Sequence, residues 1–170
     1  MSDEHKHRLE MTVLMTPDMA NFAGNVHGGT ILKFLDQVAY ACASRYAGRY
    51  VVTLSVDQVM FREPIHVGEL VTFKASINHT GTSSMEVGIK VLAETIRTQE
   101  VRHANSCFFT MVAVDDERKP VAVPKLVPAN ADEERRYAAA KVRKELRHEF
   151  ARRLEASRRM EQPPATDQAS

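Results

Sequence analysis

Between Val51 and Val114 the chain passes through four successive segments in which apolar and polar residues alternate, with no helical period among them. Residues 69–79 are the clearest, with Val71, Phe73, Ala75 and Ile77 opposed to Thr72, Lys74, Ser76 and Asn78. A period of two sends successive side chains to opposite faces of a strand. Residues 85–96 repeat it, with Met85, Val87, Ile89 and Val91 against Glu86, Lys90 and Glu94. Residues 51–61 do so with Val52, Leu54, Val56 and Met60 against Thr53, Ser55 and Asp57. Residues 102–114 are apolar on both faces in their second half, through Cys107, Phe108, Phe109, Met111 and Val112, which predicts a strand covered on both sides and hence central. Pro64 and Gly68 punctuate one gap and Gly81-Thr82-Ser83-Ser84 forms a turn in the next. Long strands in direct succession imply an antiparallel sheet, and its apolar face needs a covering layer.

That layer is a helix that comes before the four segments. Residues 9–16 read as a first strand ended by Pro17; a polar loop then turns through Gly24 and enters a helix at Gly28-Gly29. The helix is apolar over most of its circumference through Ala43 and stops at Gly48. Two glycines at a helix start cost stability unless the backbone must approach something closely. A helix N-terminus carries unpaired N–H groups and a partial positive charge, so it can polarise a carbonyl or hold an anion. Asp36 is the only carboxylate in the body of this helix.

A length of 170 residues fits one domain with an appendage, large enough to bury a core without disulfides or metal. The net charge of +1 gives no global push towards nucleic acid or membrane. Charge is unevenly placed, however: residues 131–160 hold ten Lys/Arg and six Asp/Glu. They read as a second helix, capped by Asn130 or Asp132, whose Val142, Leu146, Phe150 and Leu154 form a narrow apolar stripe. The two cysteines, Cys42 and Cys107, sit among apolar neighbours and show no metal-ligand spacing, as expected of free buried thiols in a reducing cytoplasm. Residues 1–8 read as a charged, frayed terminus without the apolar run of a signal peptide, and residues 161–170 as a disordered tail. No apolar run reaches the ~20 residues of a membrane span.

The residues Asn25-Val26-His27-Gly28-Gly29-Thr30-Ile31-Leu32-Lys33 with Asp36, then Ser55-Val56-Asp57, Phe61, Pro64-Ile65 and Val67-Gly68-Glu69, resemble the hotdog-fold acyl-CoA thioesterases. The branch that is most similar holds the brain-type cytosolic acyl-CoA hydrolases and their short bacterial single-domain relatives. Gly81 to Val87 and the Phe108-Phe109-Thr110-Met111-Val112-Ala113 strand fit the same branch, so the resemblance covers residues 9–128. It implies an α+β hotdog fold, a long central helix wrapped by an antiparallel sheet, followed here by a basic C-terminal helix at 130–160. It also implies a cytoplasmic homo-oligomer, a dimer at least and commonly a trimer of dimers. Thioester hydrolysis of acyl-CoA is the implied activity, with an Asn and an Asp as the catalytic pair; the matching positions are Asn25 and Asp36. No metal and no organic cofactor are implied.

The residues support that chemistry in physical terms. Backbone N–H groups at Gly28-Gly29, next to His27, can stabilise an oxyanion; Asn25 can orient substrate or water; Asp36 can serve as general base or as nucleophile. His27 reads as a loop or helix-cap residue and Asp57 as a structural one. Arg62, Thr82, Ser83, Ser84, Lys119 and Lys125 are candidates for the phosphates of coenzyme A, and Phe34, Leu35 and Phe61 for the acyl slot. Eight residues of helix separate Gly28 from Asp36, about 12 Å of rise, whereas reacting groups must lie within about 3 Å of each other. The simplest solution is a composite site, with Asn25 and the helix N-terminus from one subunit and Asp36 from its two-fold mate. Two other readings stay open: a dehydratase or hydratase on acyl thioesters, with His27 as base and Asp36 as partner, and a non-catalytic acyl-CoA sensor, which would need an added effector domain.

Overall fold

The computed structural model describes residues 6–161; the expected tail and most of the expected frayed N-terminus lie outside the described residues. Among the described residues five strands form one antiparallel sheet: β1 (Arg8–Leu14), β2 (Tyr50–Val56), β3 (Leu70–Thr80), β4 (Ser84–Thr95) and β5 (Glu100–Val114). Their order is β1-β3-β4-β5-β2. Helix α1 (Gly28–Ala47) touches all five. This is the expected α+β arrangement of a long helix wrapped by a sheet. Contacts divide the chain between Val127 and Pro128. Helix α2 (Ala131–Glu161) belongs to the second unit.

The core follows from the alternation. α1 buries Ile31, Leu35, Val38, Ala39, Cys42 and Ala43, spaced three and four apart so that they share one face. β3 buries Val71, Phe73, Ala75 and Ile77; β4 buries Met85, Val87, Ile89 and Val91; β5 buries Cys107, Phe109, Met111 and Ala113. Phe34 of α1 meets the ring of Phe73 at 5.8 Å between centroids. Burying one such large side chain is worth about 1.5–3 kcal/mol.

Two expectations change. The strand at residues 102–114 is interior, as its pattern predicts, but β5 stands fourth and β4 holds the middle. The hairpin connections β3-β4-β5 decide the order, while an apolar pattern on both faces reports covered faces and not the strand's position in the sheet. Second, the strand expected over residues 51–61 ends at Val56. The ladder with β5 slips between Thr53 and Ser55, leaving Leu54 as a bulge. Thr53 then pairs with Met111, and Ser55 with Thr110. Directly paired residues share a face, so the bulge separates Thr53 from Ser55 and Val56 from Val52. Beyond Val56 the chain follows β5 through spaced ties: Asp57 N–H to the Phe108 carbonyl, Asn105 Nδ2 to the Met60 carbonyl and Arg102 Nη2 to the Pro64 carbonyl.

In the second unit, Asn130 caps α2 as expected. Its Oδ1 accepts from Glu133 N–H at 3.0 Å, and Glu133 Oε2 reaches back to Ala129 N–H at 2.8 Å. The stripe Val142, Leu146, Phe150 and Leu154 is exposed, and Arg153 pairs with Glu149 along the helix. Among the described residues no helix is long and apolar enough to cross a membrane.

Candidate active site

The loop ahead of α1 is shaped by an asparagine that sequence reading passed over. Asn21 Oδ1 accepts hydrogen bonds from Ala23 N–H (2.9 Å) and Asn25 N–H (3.1 Å). Its own N–H donates to the Asn25 carbonyl at 2.6 Å, and Gly24 N–H donates to its carbonyl at 3.0 Å. Gly24 sits at φ +80°, a conformation that a Cβ would strain. The Asn-x-x-Gly spacing of this turn is the signal that could have marked Asn21. Asn25, the expected site residue, is half-buried, and its Oδ1 stands 2.9 Å from His66 Nδ1. Among the described residues neither asparagine's amide nitrogen has a partner, so each side chain keeps its donor end for a ligand.

His27 caps α1: its Nδ1 accepts from Gly29 N–H at 3.0 Å, and its carbonyl accepts from Thr30 N–H at 2.9 Å. The expected pair of oxyanion donors therefore narrows to one, because Gly29 N–H is already used. Among the described residues Gly28 N–H has no partner and remains the candidate donor. A Cβ built on Gly28 would lie 3.7 Å from the Phe61 ring, so Phe61 stands beside that donor. The same bond commits Nδ1 of His27 to the helix, which leaves that nitrogen unfit to act as a base.

Asp36 lies on the exposed side of α1, two turns beyond Gly28. Thr53 Oγ1 donates to Asp36 Oδ1 at 2.7 Å and lies 3.5 Å from Met111 Sδ. The bulge at Leu54 makes this contact possible by keeping Thr53 on the face of Met111 and α1. Thr53 stands on β2, one of the two edge strands of the sheet among the described residues. One carboxylate oxygen is oriented by a hydroxyl and the other is left to solvent. Val52, Leu54 and Val56 beside it are exposed at 36%, 68% and 42%, an apolar edge that a single protomer leaves bare.

The residues expected to hold phosphates do not gather in one protomer. Thr82, Ser83 and Ser84 form the β3-β4 hairpin, where the Thr82 carbonyl accepts from Val123 N–H and the Ser83 carbonyl from Ala113 N–H. Lys119 closes the next turn, paired with Glu117, at the same end of the sheet, and exposed Lys125 follows alongside. Arg62 is exposed at the opposite end, with Phe61 and the start of α1. Leu35 is wholly buried in the core and does not line a slot, whereas Phe61 is half exposed.

Both cysteines are free and buried. Burial pushes each thiol up to about 12, offset at Cys42 by nearby Arg45 and reinforced at Cys107 by Asp57. They stay protonated and shielded at neutral pH, so a disulfide reagent should titrate neither within minutes in the native protein and both in denaturant. Fast labelling of either thiol in native protein would contradict the buried placement. Among the described residues no group of three or more His, Cys, Asp or Glu could hold a metal ion.

A family model described as the thioesterase superfamily matches residues 23–100. Protein VdlD of Helicobacter pylori is 54% identical over 140 residues, covering 82% of this chain and 80% of that protein. An apo-hexameric acyl-CoA thioesterase of known structure is 36% identical, with a TM-score of 0.84 over 89% of this chain and 96% of that one. The acyl-CoA hydrolase of Staphylococcus aureus, solved with butyryl coenzyme A and coenzyme A, is 33% identical, with a TM-score of 0.80 over 91% of this chain and 93% of that one. Solved variants of that hydrolase replace an asparagine, an aspartate and a threonine by alanine; the aspartate follows the asparagine by 15 positions and the threonine follows the aspartate by 17.

Proposed function

Because this chain belongs to the thioesterase superfamily, we propose that it hydrolyses acyl-CoA to a free acid and coenzyme A, and that Asn21, Asp36 and Thr53 carry the reaction. The observation that carries the assignment is an interval. Asn21 to Asp36 is 15 positions and Asp36 to Thr53 is 17, the same intervals as the three altered residues of the Staphylococcus aureus hydrolase. The hydrogen bond from Thr53 to Asp36 supports the same grouping. On this reading the asparagine of the pair is Asn21, and Asn25, expected from sequence, holds the loop through His66.

The chemistry follows from the donors available. Gly28 N–H and the Asn21 amide donate to the thioester oxygen as charge develops on it, the interaction worth most in a water-poor site. Thr53 orients the Asp36 carboxylate, which either takes a proton from the attacking water or attacks the carbonyl carbon itself. The thiolate of coenzyme A leaves and is protonated; water supplies the hydroxyl of the acid. Because ~12 Å of helix separates Gly28 from Asp36, the two act on one thioester when two protomers set their helices side by side. We take the assembly to be a homodimer at least, and a trimer of dimers by analogy with the hexameric relative. Coenzyme A phosphates would draw on Arg62 at one end of the sheet, or on Thr82, Ser83, Ser84, Lys119 and Lys125 at the other. The cytoplasm, where acyl-CoA is available and thiols stay reduced, suits these requirements.

The test is thiol release across acyl-CoAs of graded chain length, with Asn21→Ala and Asn25→Ala compared. Asn21→Ala should lower kcat about 10²-fold, the cost of one oxyanion donor, while Asn25→Ala should cost no more than about tenfold. The reverse order would return the role to Asn25. Absence of thiol release from every acyl-CoA would remove the hydrolase reading.

A further inference from the structure

The loop that presents Asn21 is nearly bare. Phe22, Ala23 and Gly24 are exposed, and Phe22 buries none of its ring. The bonds among Asn21, Ala23, Gly24 and Asn25 give the loop its shape but not its place on the protein. Its base is tied by the His27 N–H bond to the Met19 carbonyl (2.8 Å) and by an antiparallel bridge between Ala20 and Val26; beyond these, its place depends on the segment that precedes β3. Val26 N–H donates to the Ile65 carbonyl at 2.8 Å, Asn25 and His66 form an antiparallel bridge, and His66 Nδ1 meets Asn25 Oδ1 at 2.9 Å.

That segment is itself pinned from inside the protein. His66 N–H donates to Glu69 Oε2 at 2.8 Å. Arg102 Nη2 on β5 donates to the same oxygen at 2.7 Å and to the Pro64 carbonyl at 2.8 Å. Glu69 is 6% exposed, so its charge needs these partners, and losing them would leave a buried carboxylate unpaired. A continuous chain of hydrogen bonds thus runs from β5 through a partly buried ion pair and His66 to Asn25, whose N–H closes on Asn21 Oδ1 at 3.1 Å.

We propose that His66 is a positioning residue, clasping Asn25 so that Asn21 presents its amide where the thioester oxygen develops charge. The proposal rests on the assignment of Asn21 made above. The imidazole itself is exposed, so its bond to Asn25 contributes little to folding; what it restricts is where the loop stands. Displacements of about 1 Å at a reacting group can cost about 10²-fold in rate, which is the upper bound on what such a clasp contributes.

The test uses the full chain and whichever acyl-CoA the native protein hydrolyses fastest. His66→Ala should lower kcat about 5- to 10-fold, as Asn25→Ala does, with KM within about twofold, because the clasp orients a donor and does not touch coenzyme A. His66→Asn places an amide nitrogen near the position of Nδ1 and should recover most of kcat. His66→Gln places it near Nε2 and should not. The double variant His66→Ala/Asn25→Ala should be no more than about twofold worse than the poorer single one, since both remove the same bond. Equal kcat for His66→Asn and His66→Gln, or multiplying effects in the double variant, would overturn the clasp. If His66→Ala fails to fold, the Asn-against-Gln comparison decides alone. Full kcat in Asn21→Ala would sink the underlying assignment and the clasp with it; a damaged Asn21→Ala beside an indifferent His66→Ala would sink the clasp only.

Discussion

Replacing Asp36 by alanine is expected to lower kcat about 10³-fold, the range of a lost general base or nucleophile, and to leave the fold intact. Both halves of this expectation have a structural cause. Asp36 lies on the exposed side of α1, outside the buried set of Ile31, Leu35, Val38 and Ala39, so no packing is lost with it. Its one hydrogen-bond partner among the described residues, Thr53 Oγ1, is exposed and can turn to water when the carboxylate is gone. Surface changes of this kind shift stability by no more than about 0.5 kcal/mol. Thiol release measured beside a thermal unfolding curve checks it. Residual activity within tenfold of native, with an unchanged midpoint, would remove Asp36 from the chemistry.

The second large effect is recovery. Asn21→Ala and Asp36→Ala proteins should each be nearly inactive, and mixing them with subunit exchange should restore roughly a quarter of native activity. In a two-fold dimer whose sites each take Asn21 from one protomer and Asp36 from the other, half of randomly re-paired dimers are hybrids, and each hybrid holds one intact site. The physical basis is the ~12 Å of helix between Gly28 and Asp36, which one protomer cannot fold onto a single carbonyl. The apolar edge of β2 beside Asp36, with Leu54 68% exposed, is where a second copy would bring its helix close. No recovery after exchange is verified by mass would return both residues to one protomer.

Part of the candidate site was legible from residue order, and the rest was hidden for definable reasons. Asp36 stood out because α1 carries no other carboxylate. His27 was readable as a cap from its place before Gly28, and the structure has its Nδ1 on Gly29 N–H. Thr53 was not readable. Strict alternation put it on a face with Ser55 and Asp57, and only the bulge at Leu54 turns it towards Met111 and Asp36. Asn21 and Asn25 are four residues apart in one polar loop, and nothing in their order ranks them. Their bonds differ: Asn21 organises the turn, and Asn25 is held from outside by His66.

By itself the sequence determined the partnership of one apolar helix with an alternating sheet, because each has an apolar face that only the other can cover. It also determined where the helix begins, since Gly28-Gly29 follows a capping residue, and where it stops, at Gly48 with φ +62°. Strand order, the bulge in β2 and the clasp of the asparagine loop were decided by tertiary structure alone. Each depends on contacts between residues far apart in the chain: Asn25 with His66, Glu69 with Arg102, Asp36 with Thr53. A local pattern records which face a side chain prefers. Which distant partner meets it there depends on register, and register is set when the whole sheet closes around the helix.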